Sequence, residues 1–213
     1  MKFSVITADP PWEYKTWSAK GGHKSAGDHY QTQGTDWLCA LPVQDIAADD
    51  CALFLWATWP NLPDCLRLIE AWGFTYKSAA FCWTKLTHSD APSMGLGYWT
   101  RSNTEPCLLA TRGNPKRRNK DVRQVIECAE EGEQIAGAEV LACRRGEHSR
   151  KPIEVYKRIE RLVPGPYCEL FARPWWGMFE PPAGWTCLGN EVTGNDIADD
   201  IRALAAQEDE AAA

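Results

Sequence analysis

The feature that most limits the fold is a short apolar segment that ends at two consecutive prolines. Phe3 to Ala8 read FSVITA, and Asp9-Pro10-Pro11-Trp12 follow directly. Proline fixes φ, lacks a backbone N–H and disfavours helix in the residue before it, so neither a helix nor a paired strand continues through this sequence. We therefore predict a buried strand at residues 3–8 that ends in a rigid turn carrying the Asp9 carboxylate.

Further apolar runs alternate with helical patterns and predict an α/β protein. A polar, glycine-containing stretch at 13–37 predicts a long loop, and the polar stretch 112–139 is expected to be mostly irregular. Short buried strands mixed with helices favour a largely parallel, twisted sheet flanked by helices, which binds ligands beyond the carboxyl ends of its strands. The other predicted strands and helices are strands 51–58, 78–83, 106–111, 140–143, 168–172 and 185–188, and helices 61–72 and 151–163.

Length and composition predict one folded domain over residues 1–192 and an acidic C-terminal tail, helical or frayed, over 193–213. The net charge of −6 argues against a passive nucleic-acid coat protein but leaves room for a local basic patch. Nine cysteines without a C-x-x-C pair and four scattered histidines favour reduced thiols and no metal site. Without a signal peptide or a membrane-length apolar run, the expected location is the cytoplasm.

The turn at 9–12 suits the methylation of an aromatic amino group. Such a nitrogen is a poor nucleophile because its lone pair is delocalised into the ring. The Asp9 carboxylate and the Pro10 carbonyl could accept its two hydrogens, while Trp12 could stack on the attached ring. A nitrogen held in this way can point its lone pair at the sulfonium methyl of S-adenosylmethionine. The simpler interpretation is that the two prolines merely form a turn.

The chain resembles the MT-A70 family of S-adenosylmethionine-dependent adenine-N6 methyltransferases, in particular its bacterial and phage type. The resemblance runs in order from about Val5 to Glu191 and begins with the Asp-Pro-Pro-Trp tetrapeptide. It implies a Rossmann-like class I methyltransferase fold in permuted order, with the catalytic strand first and the cofactor-binding half later. The later matching stretches are LFLW at 53–56, GYW at 97–99 with Glu105, GNP at 113–115, SRKP at 149–152, YKRIERLVP at 156–164, ELFAR at 169–173, GW at 184–185 and LGNE at 188–191.

The same resemblance implies roles for individual residues. Asp9, Pro10, Pro11 and Trp12 would be catalytic, and Asp9 would also border the cofactor. Lys151 would meet the carboxylate end of S-adenosylmethionine, and the ribose would lie beside Arg173, Asn190 and Glu191. The target adenosine would lie beside Tyr30, Trp99 and Glu105. One departure from the messenger-RNA enzymes is Trp175-Trp176, which stands where they carry His-Asn.

Simpler interpretations exist for most of these residues. Lys151 and Arg173 could form surface salt bridges with Glu154 or Glu169. Trp99 could be a core side chain, and Glu105 could be an ordinary surface charge.

Residues 112–123 carry six basic side chains and one acid, and we predict phosphate contacts there, with Lys116, Arg117 and Arg118 at the centre. A second basic group is Arg144, Arg145, Arg150 and Lys151. A paired adenine cannot reach a pocket, so the base would be flipped or already unpaired. The loop after Trp12 and the loop at 95–103 are candidate gates. The simpler interpretation is a solvated loop.

The predicted function is methylation of adenine N6 in nucleic acid, with DNA favoured over RNA because a compact chain suits a bacterial or phage enzyme. The alternatives are an RNA adenine-N6 methyltransferase and a non-catalytic nucleic-acid-binding subunit with the same fold. A cytosine-N4 enzyme and a small-molecule methyltransferase explain fewer of the residues. A homodimer is the generic expectation for a soluble protein.

Overall fold

The computed structural model describes residues 2–13, 33–87, 91–95, 97–129, 151–174 and 183–212. None of the helices in these ranges is long and apolar enough to cross a membrane. The strands are β1 (Phe3–Ala8), β2 (Ala47–Trp56), β3 (Thr75–Leu86), β4 (Thr104–Arg112), β5 (Val125–Ala129), β6 (Tyr167–Leu170) and β7 (Trp185–Leu188). The helices are α1 (Thr35–Cys39), α2 (Leu62–Ala71), α3 (Glu154–Leu162), α4 (Asn190–Thr193) and α5 (Ile197–Ala212).

Seven strands form one sheet in the order β5-β3-β4-β2-β1-β6-β7. β1 pairs in parallel with β2 and β6, β6 pairs in parallel with β7, and β3 pairs in parallel with β5. β4 alone in this sheet runs against its two neighbours, β2 and β3. This mixed but mostly parallel sheet confirms the predicted α/β fold class.

The reversed direction of β4 brings its first residues to the edge of the sheet where the parallel strands end. Trp56, the last residue of β2, pairs with Cys107 near the start of β4, whereas Cys51 pairs with Arg112 at its end. We call the edge where β1, β2, β3, β6 and β7 end and β4 begins the carboxyl edge, and the opposite one the amino edge. Asp9 follows β1 at the carboxyl edge, where ligands of such sheets bind.

Helices cover both faces of the sheet. On one face, β1 and β2 pack against α1, α2 and α5 around Leu38, Trp72 and Ile201. On the other face, aromatic side chains of β2 and β3 pack with α3 around Tyr156 and Ile159. β1 and β2 therefore have apolar side chains on both faces, which explains their nearly continuous hydrophobic sequences.

The sequence predicted β1 and β7 with the bounds that the structure has, and it placed α2 and α3 to within three residues at each end. It missed β5, because VIECA lies within a polar stretch that was expected to be irregular. It also missed α1, which begins inside the stretch predicted as a loop. β6 ends at Leu170 instead of Ala172 because Phe171 has a φ of 62°. The predicted strand 140–143 lies outside the described residues.

Amphipathic periodicity in the sequence predicts one apolar face for each of two helices: Leu62, Leu66, Ile69 and Trp72 in α2, and Ile153, Tyr156, Ile159 and Val163 in α3. In the structure Ile69, Trp72, Tyr156, Ile159 and Val163 are buried as predicted. Leu62, Leu66 and Ile153 are only partly buried, whereas Cys65, Leu68 and Val155 are fully buried. The predicted faces are therefore largely correct and differ mainly toward the N-terminal end of each helix.

The first half of α5 packs on the same core as β1. Ile197 and Ile201 are 5% and 0% exposed. The buried carboxylate of Asp200 accepts hydrogen bonds from Thr193 Oγ1 at 2.6 Å and Asn195 Nδ2 at 2.9 Å. The segment predicted as an acidic tail thus contributes to the core, although the domain boundary at residue 193 itself stays a prediction.

Replacing Ile201 with Ala should destabilise the fold by about 2–5 kcal/mol, because it leaves a cavity between α5 and the sheet. Gln207→Ala, on the exposed side of the same helix, should change stability by less than about 0.5 kcal/mol. Urea unfolding at equilibrium measures both values. Equal effects of the two substitutions would show that α5 does not pack on the core.

Candidate active site

The turn after β1 is held by hydrogen bonds from its own backbone and from β2. The Trp12 N–H donates to the Pro10 carbonyl at 2.8 Å. The Trp12 indole Nε1–H donates to the Trp56 carbonyl at 3.1 Å, and the Trp12 side chain is only 5% exposed. Trp12 therefore anchors the turn to the end of β2.

This arrangement corrects two expectations. The ring of Trp12 is enclosed in the core beside α1 and α2, so it does not present the free stacking face that the sequence predicted. The Pro10 carbonyl already accepts one hydrogen bond within the turn, so a substrate amino group would have to use its second lone pair. The Asp9 carboxylate remains the principal acceptor that this turn offers.

Two further contacts fix the chain that leaves the turn. The Gln33 N–H donates to the Pro11 carbonyl at 3.0 Å, next to an isolated parallel bridge between Trp12 and Gln33. Asn61 is 2% exposed, and its Nδ2 donates to the Glu13 carbonyl at 3.0 Å. The segment between β2 and α2 thus positions the backbone beyond Trp12.

Asp9 forms a short ion pair with Lys151. The distance from Lys151 Nζ to Asp9 Oδ2 is 2.6 Å, and the same Nζ lies 3.3 Å from Glu105 Oε2. The Lys151 side chain is 9% exposed, and its Nζ lies 5.2 Å from the centroid of the Trp56 ring. The sequence left open a surface salt bridge with Glu154 or Glu169, but Lys151 is buried between Asp9 and Glu105 instead.

Glu105 is shared between two lysines. Its Oε1 lies 2.7 Å from Lys85 Nζ, and Lys85 Nζ lies 4.9 Å from the centroid of the Trp83 ring. Burial alone would raise the pKa of Glu105, but Lys151 and Lys85 offset it and hold the pKa below its usual value. Burial would lower the pKa of Lys151, but Asp9 and Glu105 offset that and raise it. Both shifts stabilise the ionised forms.

A cavity lies on the other side of Asp9, between the ends of β1, β6 and β7 and helices α1 and α5. It is partly open to solvent and has a volume of about 180 Å³. Gly189 forms part of its wall, and a Cβ there would lie 2.7 Å from the Ala172 carbonyl oxygen, so the close approach of these two segments requires glycine. The lining residues are Asp9, Pro11, Gln33, Trp37, Phe171, Ala172, Arg173, Gly189, Asn190, Glu191, Asp196 and Ile197.

Four of the five predicted cofactor residues line this cavity: Asp9, Arg173, Asn190 and Glu191. Lys151 does not line it and contacts it only through Asp9. Arg173 Nε lies 3.7 Å from Glu191 Oε1, so Arg173 pairs with a neighbour in the cavity instead of Glu154 or Glu169. Of the predicted set, Arg173 and Glu191 are placed where they could both reach one ligand.

The residues predicted beside the target base are placed differently from one another. Glu105 is only 18% exposed and forms an ion pair with Lys151, the lysine that also pairs with Asp9, so it is not an ordinary surface charge. Trp99 is 90% exposed on the connection between β3 and β4, with its ring edge-on to Tyr98 at 6.3 Å, so it is not a core side chain. Tyr30, the second basic group at 144–150 and the departure at Trp175-Trp176 lie outside the described residues.

The basic cluster does not adjoin Asp9. Lys116, Arg117 and Arg118 are exposed and follow β4 at the amino edge. The backbone N–H of Arg118 donates to the Leu162 carbonyl at 2.7 Å, which places the cluster beside the last turn of α3. Since β4 advances ~3.4 Å per residue, its length alone separates the cluster from Glu105 by roughly 20 Å.

Sequence reasoning missed four residues that shape the site: Lys85, Asn61, Trp37 and Asp196. Lys85 lies two residues after Trp83, where the strand was predicted to end. Asn61 was interpreted only as the start of a helix. The other two line the cavity from α1 and from the turn before α5, in segments predicted as a loop and a tail. Side chains alternate between the two faces of a strand, so Lys85 lies on the same face of β3 as Trp83. This alternation is the only sequence signal that could have indicated Lys85 as a site residue.

Glu169 is a second carboxyl near the site, on β6. Tyr156 Oη donates to its Oε1 at 2.8 Å, and Cys187 Sγ lies 3.7 Å from its Oε2. Burial raises the pKa of Glu169 from its ordinary 4.5 to about 7, although the hydrogen bonds from Tyr156 and Cys187 act against this. The pKa of Glu169 therefore lies above the ordinary value, whereas Lys151 and Lys85 hold the pKa of Glu105 below it.

The raised pKa of Glu169 makes stability depend on pH. The folded protein keeps a proton there up to about pH 7, whereas the unfolded chain loses it near 4.5, so stability is fully present below 4.5 and is lost as the pH rises through 7. Glu169→Gln removes this loss. Relative to wild type, the variant should gain ~1–3 kcal/mol between pH 5 and pH 8.

Urea unfolding at the two pH values measures this gain. Glu127→Gln, which removes an exposed carboxyl on β5, is the matched control and should behave the same at both. A gain for Glu169→Gln no larger than that of the control would show that Glu169 is ionised throughout.

Comparison with known proteins gives consistent results. The MT-A70 family model matches residues 3–191. Type II methyltransferase M.MunI of a Mycoplasma species is 34% identical over 92% of this chain and 80% of its own length. The N(6)-adenosine-methyltransferase MT-A70-like protein of Drosophila melanogaster is 32% identical over 93% of this chain and 28% of its own length.

The human N(6)-adenosine-methyltransferase catalytic subunit METTL3 is 30% identical over 93% of this chain. The chain spans less than a third of the length of METTL3 and of the Drosophila protein. Its similarity to M.MunI, in contrast, extends over most of both proteins. The family match over residues 3–191, together with this similarity, shows that the chain belongs to the MT-A70 family.

Proposed function

We propose that this protein transfers a methyl group from S-adenosylmethionine to the N6 amino group of adenine in DNA. The observation that carries the proposal is the position of Asp9. Its carboxylate lines a cavity at the carboxyl edge of the sheet and, through Oδ2, is held 2.6 Å from a buried lysine. A carboxylate that a lysine holds in one orientation beside a ligand cavity is suited to accept a hydrogen bond from an amino group.

Asp9 would act as a hydrogen-bond acceptor and as a counter-charge. With Oδ2 engaged by Lys151, Oδ1 is free to accept one hydrogen of the amino group and orient the nitrogen lone pair. Methylation would form an N–CH₃ bond as the CH₃–S bond of the sulfonium breaks, with the bonding electron pair going to sulfur. Positive charge would move onto the nitrogen until its proton leaves to solvent. A fixed carboxylate stabilises that charge without reorganising. The ion pair with Lys151 holds this carboxylate in one orientation.

The cavity residues fit S-adenosylmethionine. When bound, this cofactor supplies an electrophilic methyl group on a sulfonium sulfur. Glu191 can accept hydrogen bonds from ribose hydroxyls, as acidic residues after strands do in related sheets. Asn190 can donate or accept beside it, and Arg173 can pair with a carboxylate. Trp37 on the α1 side offers an aromatic surface for an adenine ring.

The choice of DNA rests on resemblance. The sequence is similar to bacterial and phage members of the family that act on DNA, and the chain spans 80% of the type II methyltransferase M.MunI. It spans 30% of METTL3. Partners of the longer relatives are therefore a weaker guide to this chain than M.MunI is.

The target base would approach from the connection between β3 and β4. Tyr98 and Trp99 are 69% and 90% exposed there, and Arg101 follows on the same exposed stretch. Exposed aromatic side chains can stack on an unpaired base. The enclosed ring of Trp12 makes these two residues better candidates for such stacking.

The reaction can be tested with labelled S-adenosylmethionine and matched DNA and RNA, followed by mass spectrometry of the nucleosides. We expect N6-methyladenine in DNA. The same product in RNA alone would replace DNA by RNA as the substrate. N4-methylcytosine, or no product despite tight cofactor binding, would contradict the proposed function.

Asp9→Ala should abolish methyl transfer, because the amino group loses its acceptor and counter-charge; a fall of at least ~10³-fold in kcat is expected. The dissociation constant for S-adenosylmethionine, measured by calorimetry, should rise by less than about tenfold. Asp49→Ala, at an exposed position on β2, is the matched control and should retain wild-type rates. Retention of normal turnover by Asp9→Ala would refute the assigned role.

Arg117→Ala/Arg118→Ala should weaken DNA binding and lower its salt slope by about 2, if the duplex extends from the carboxyl edge along α3 to the amino edge. Fluorescence anisotropy at several salt concentrations measures both quantities. Lys77→Ala/Arg202→Ala removes two other exposed cations and should leave the slope unchanged. Identical slopes for the two double variants would remove this cluster from the DNA-binding surface.

A further inference from the structure

Lys85 lies two ion pairs away from Asp9. Its Nζ is 2.7 Å from Glu105 Oε1, Glu105 Oε2 is 3.3 Å from Lys151 Nζ, and Lys151 Nζ is 2.6 Å from Asp9 Oδ2. These four side chains form a sequence of alternating charges, which we call the charge chain. Two lysines balance two carboxylates, so the charge chain is neutral as a whole.

Lys151 is shared unequally between the two carboxylates. It lies 0.7 Å closer to Asp9 than to Glu105, as the distances of 2.6 and 3.3 Å show. Glu105, in turn, makes its shorter ion pair with Lys85. The positive charge of Lys85 offsets part of the attraction between Glu105 and Lys151. Without Lys85, Glu105 would attract Lys151 more strongly, and the effect is large because solvent is partly excluded from these charges. Lys85 therefore weakens the competition that Asp9 faces.

Lys85 is itself fixed in place. Its backbone N–H donates to the Asn103 carbonyl at 2.9 Å, directly beyond the last paired residues of β3 and β4, Thr84 and Thr104. Its side chain is 17% exposed, and its ammonium group lies 4.9 Å from the centroid of the Trp83 ring. Trp83 pairs directly with Glu105 across the two strands. The cation is thus held beside Glu105, and it does not line the cavity.

We propose that Lys85 is a positioning residue that keeps Lys151 on Asp9 and thereby fixes the orientation of the Asp9 carboxylate. This inference rests on the proposed function, in which Asp9 accepts the target amino group. Lys85 touches neither the cavity nor the turn at 9–12, so its effect is transmitted through Glu105 and Lys151. Its role is to set geometry, and its loss affects the rate of the methylation step more than the binding of either substrate.

The test uses Lys85→Met, which removes the charge and keeps the length of the side chain. Lys77→Met is the matched control, because Lys77 is an exposed lysine on the same strand, and Lys85→Arg restores the charge. We expect kcat for DNA methylation to fall about tenfold in Lys85→Met, as small displacements of reacting groups do. The KM for S-adenosylmethionine should stay within about twofold. Lys85→Arg should recover most of kcat, and Lys77→Met should match wild type.

The pH profile provides a readout that simple loss of stability would not move. Lys85 is one of the two cations that lower the pKa of Glu105, so removing it raises that pKa. The acidic limb of kcat should therefore shift to higher pH in Lys85→Met and remain in place in Lys77→Met. The proposal would be overturned if Lys85→Met had the same kcat and the same acidic limb as Lys77→Met. It would also be overturned if Lys85→Arg did not restore kcat.

A direct measurement separates this proposal from the proposed function. Carboxyl ¹³C NMR follows the titration of Glu105 without any turnover, in wild type and in Lys85→Met. Absence of N6-methyladenine from the wild-type reaction would refute the function, whereas the charge chain would still be supported by a higher Glu105 pKa in Lys85→Met. Unchanged titration of Glu105 would overturn the charge chain even if the wild type methylates DNA.

Discussion

A buried ammonium group must be compensated by nearby carboxylates, and in this protein that requirement joins segments far apart in the chain. Isolated in a low-dielectric interior, the charge of Lys151 would cost several kcal/mol. Asp9 and Glu105 compensate it at 2.6 and 3.3 Å. Removing either carboxylate leaves charge uncompensated, so residues 9, 105 and 151 are coupled in energy as well as in position. The sheet supplies the frame that makes this coupling geometrically feasible.

Asp9 lies at the boundary between two environments. On one side it lines a cavity of polar and aromatic side chains from the ends of β1, β6 and β7. On the other side it contacts Lys151, which packs against Trp56 on the face covered by α3. The cavity side is suited to a ligand and the lysine side fixes the carboxylate. The Asp9 side chain can therefore face a ligand while its orientation stays fixed, as preorganised sites require.

Local chemistry made β1, the turn at 9–12 and the amphipathic α3 predictable, because each depends on neighbouring residues. The position of Lys85 was not predictable, since it depends on the register of β3 against an antiparallel β4. The enclosure of Trp12 also depends on a partner, the carbonyl at the end of β2. Family resemblance indicated Lys151 as functional, but its contacts with Asp9 and Glu105 emerged only from the fold. These features depend on contacts between residues that are far apart in the chain. Local propensity does not specify such contacts, so the sequence alone could not predict them.

The direction of β4 has a consequence for how such a protein can diversify. The connection that precedes this strand lies at the carboxyl edge beside Asp9, and the segment that follows it lies at the amino edge beside α3. The strand between them is hydrogen-bonded to neighbours on both sides. Insertions or replacements at either end therefore leave its register intact. Evolution can therefore exchange the two surfaces independently, without disturbing the sheet and the ion pair between Asp9 and Lys151 that lie between them.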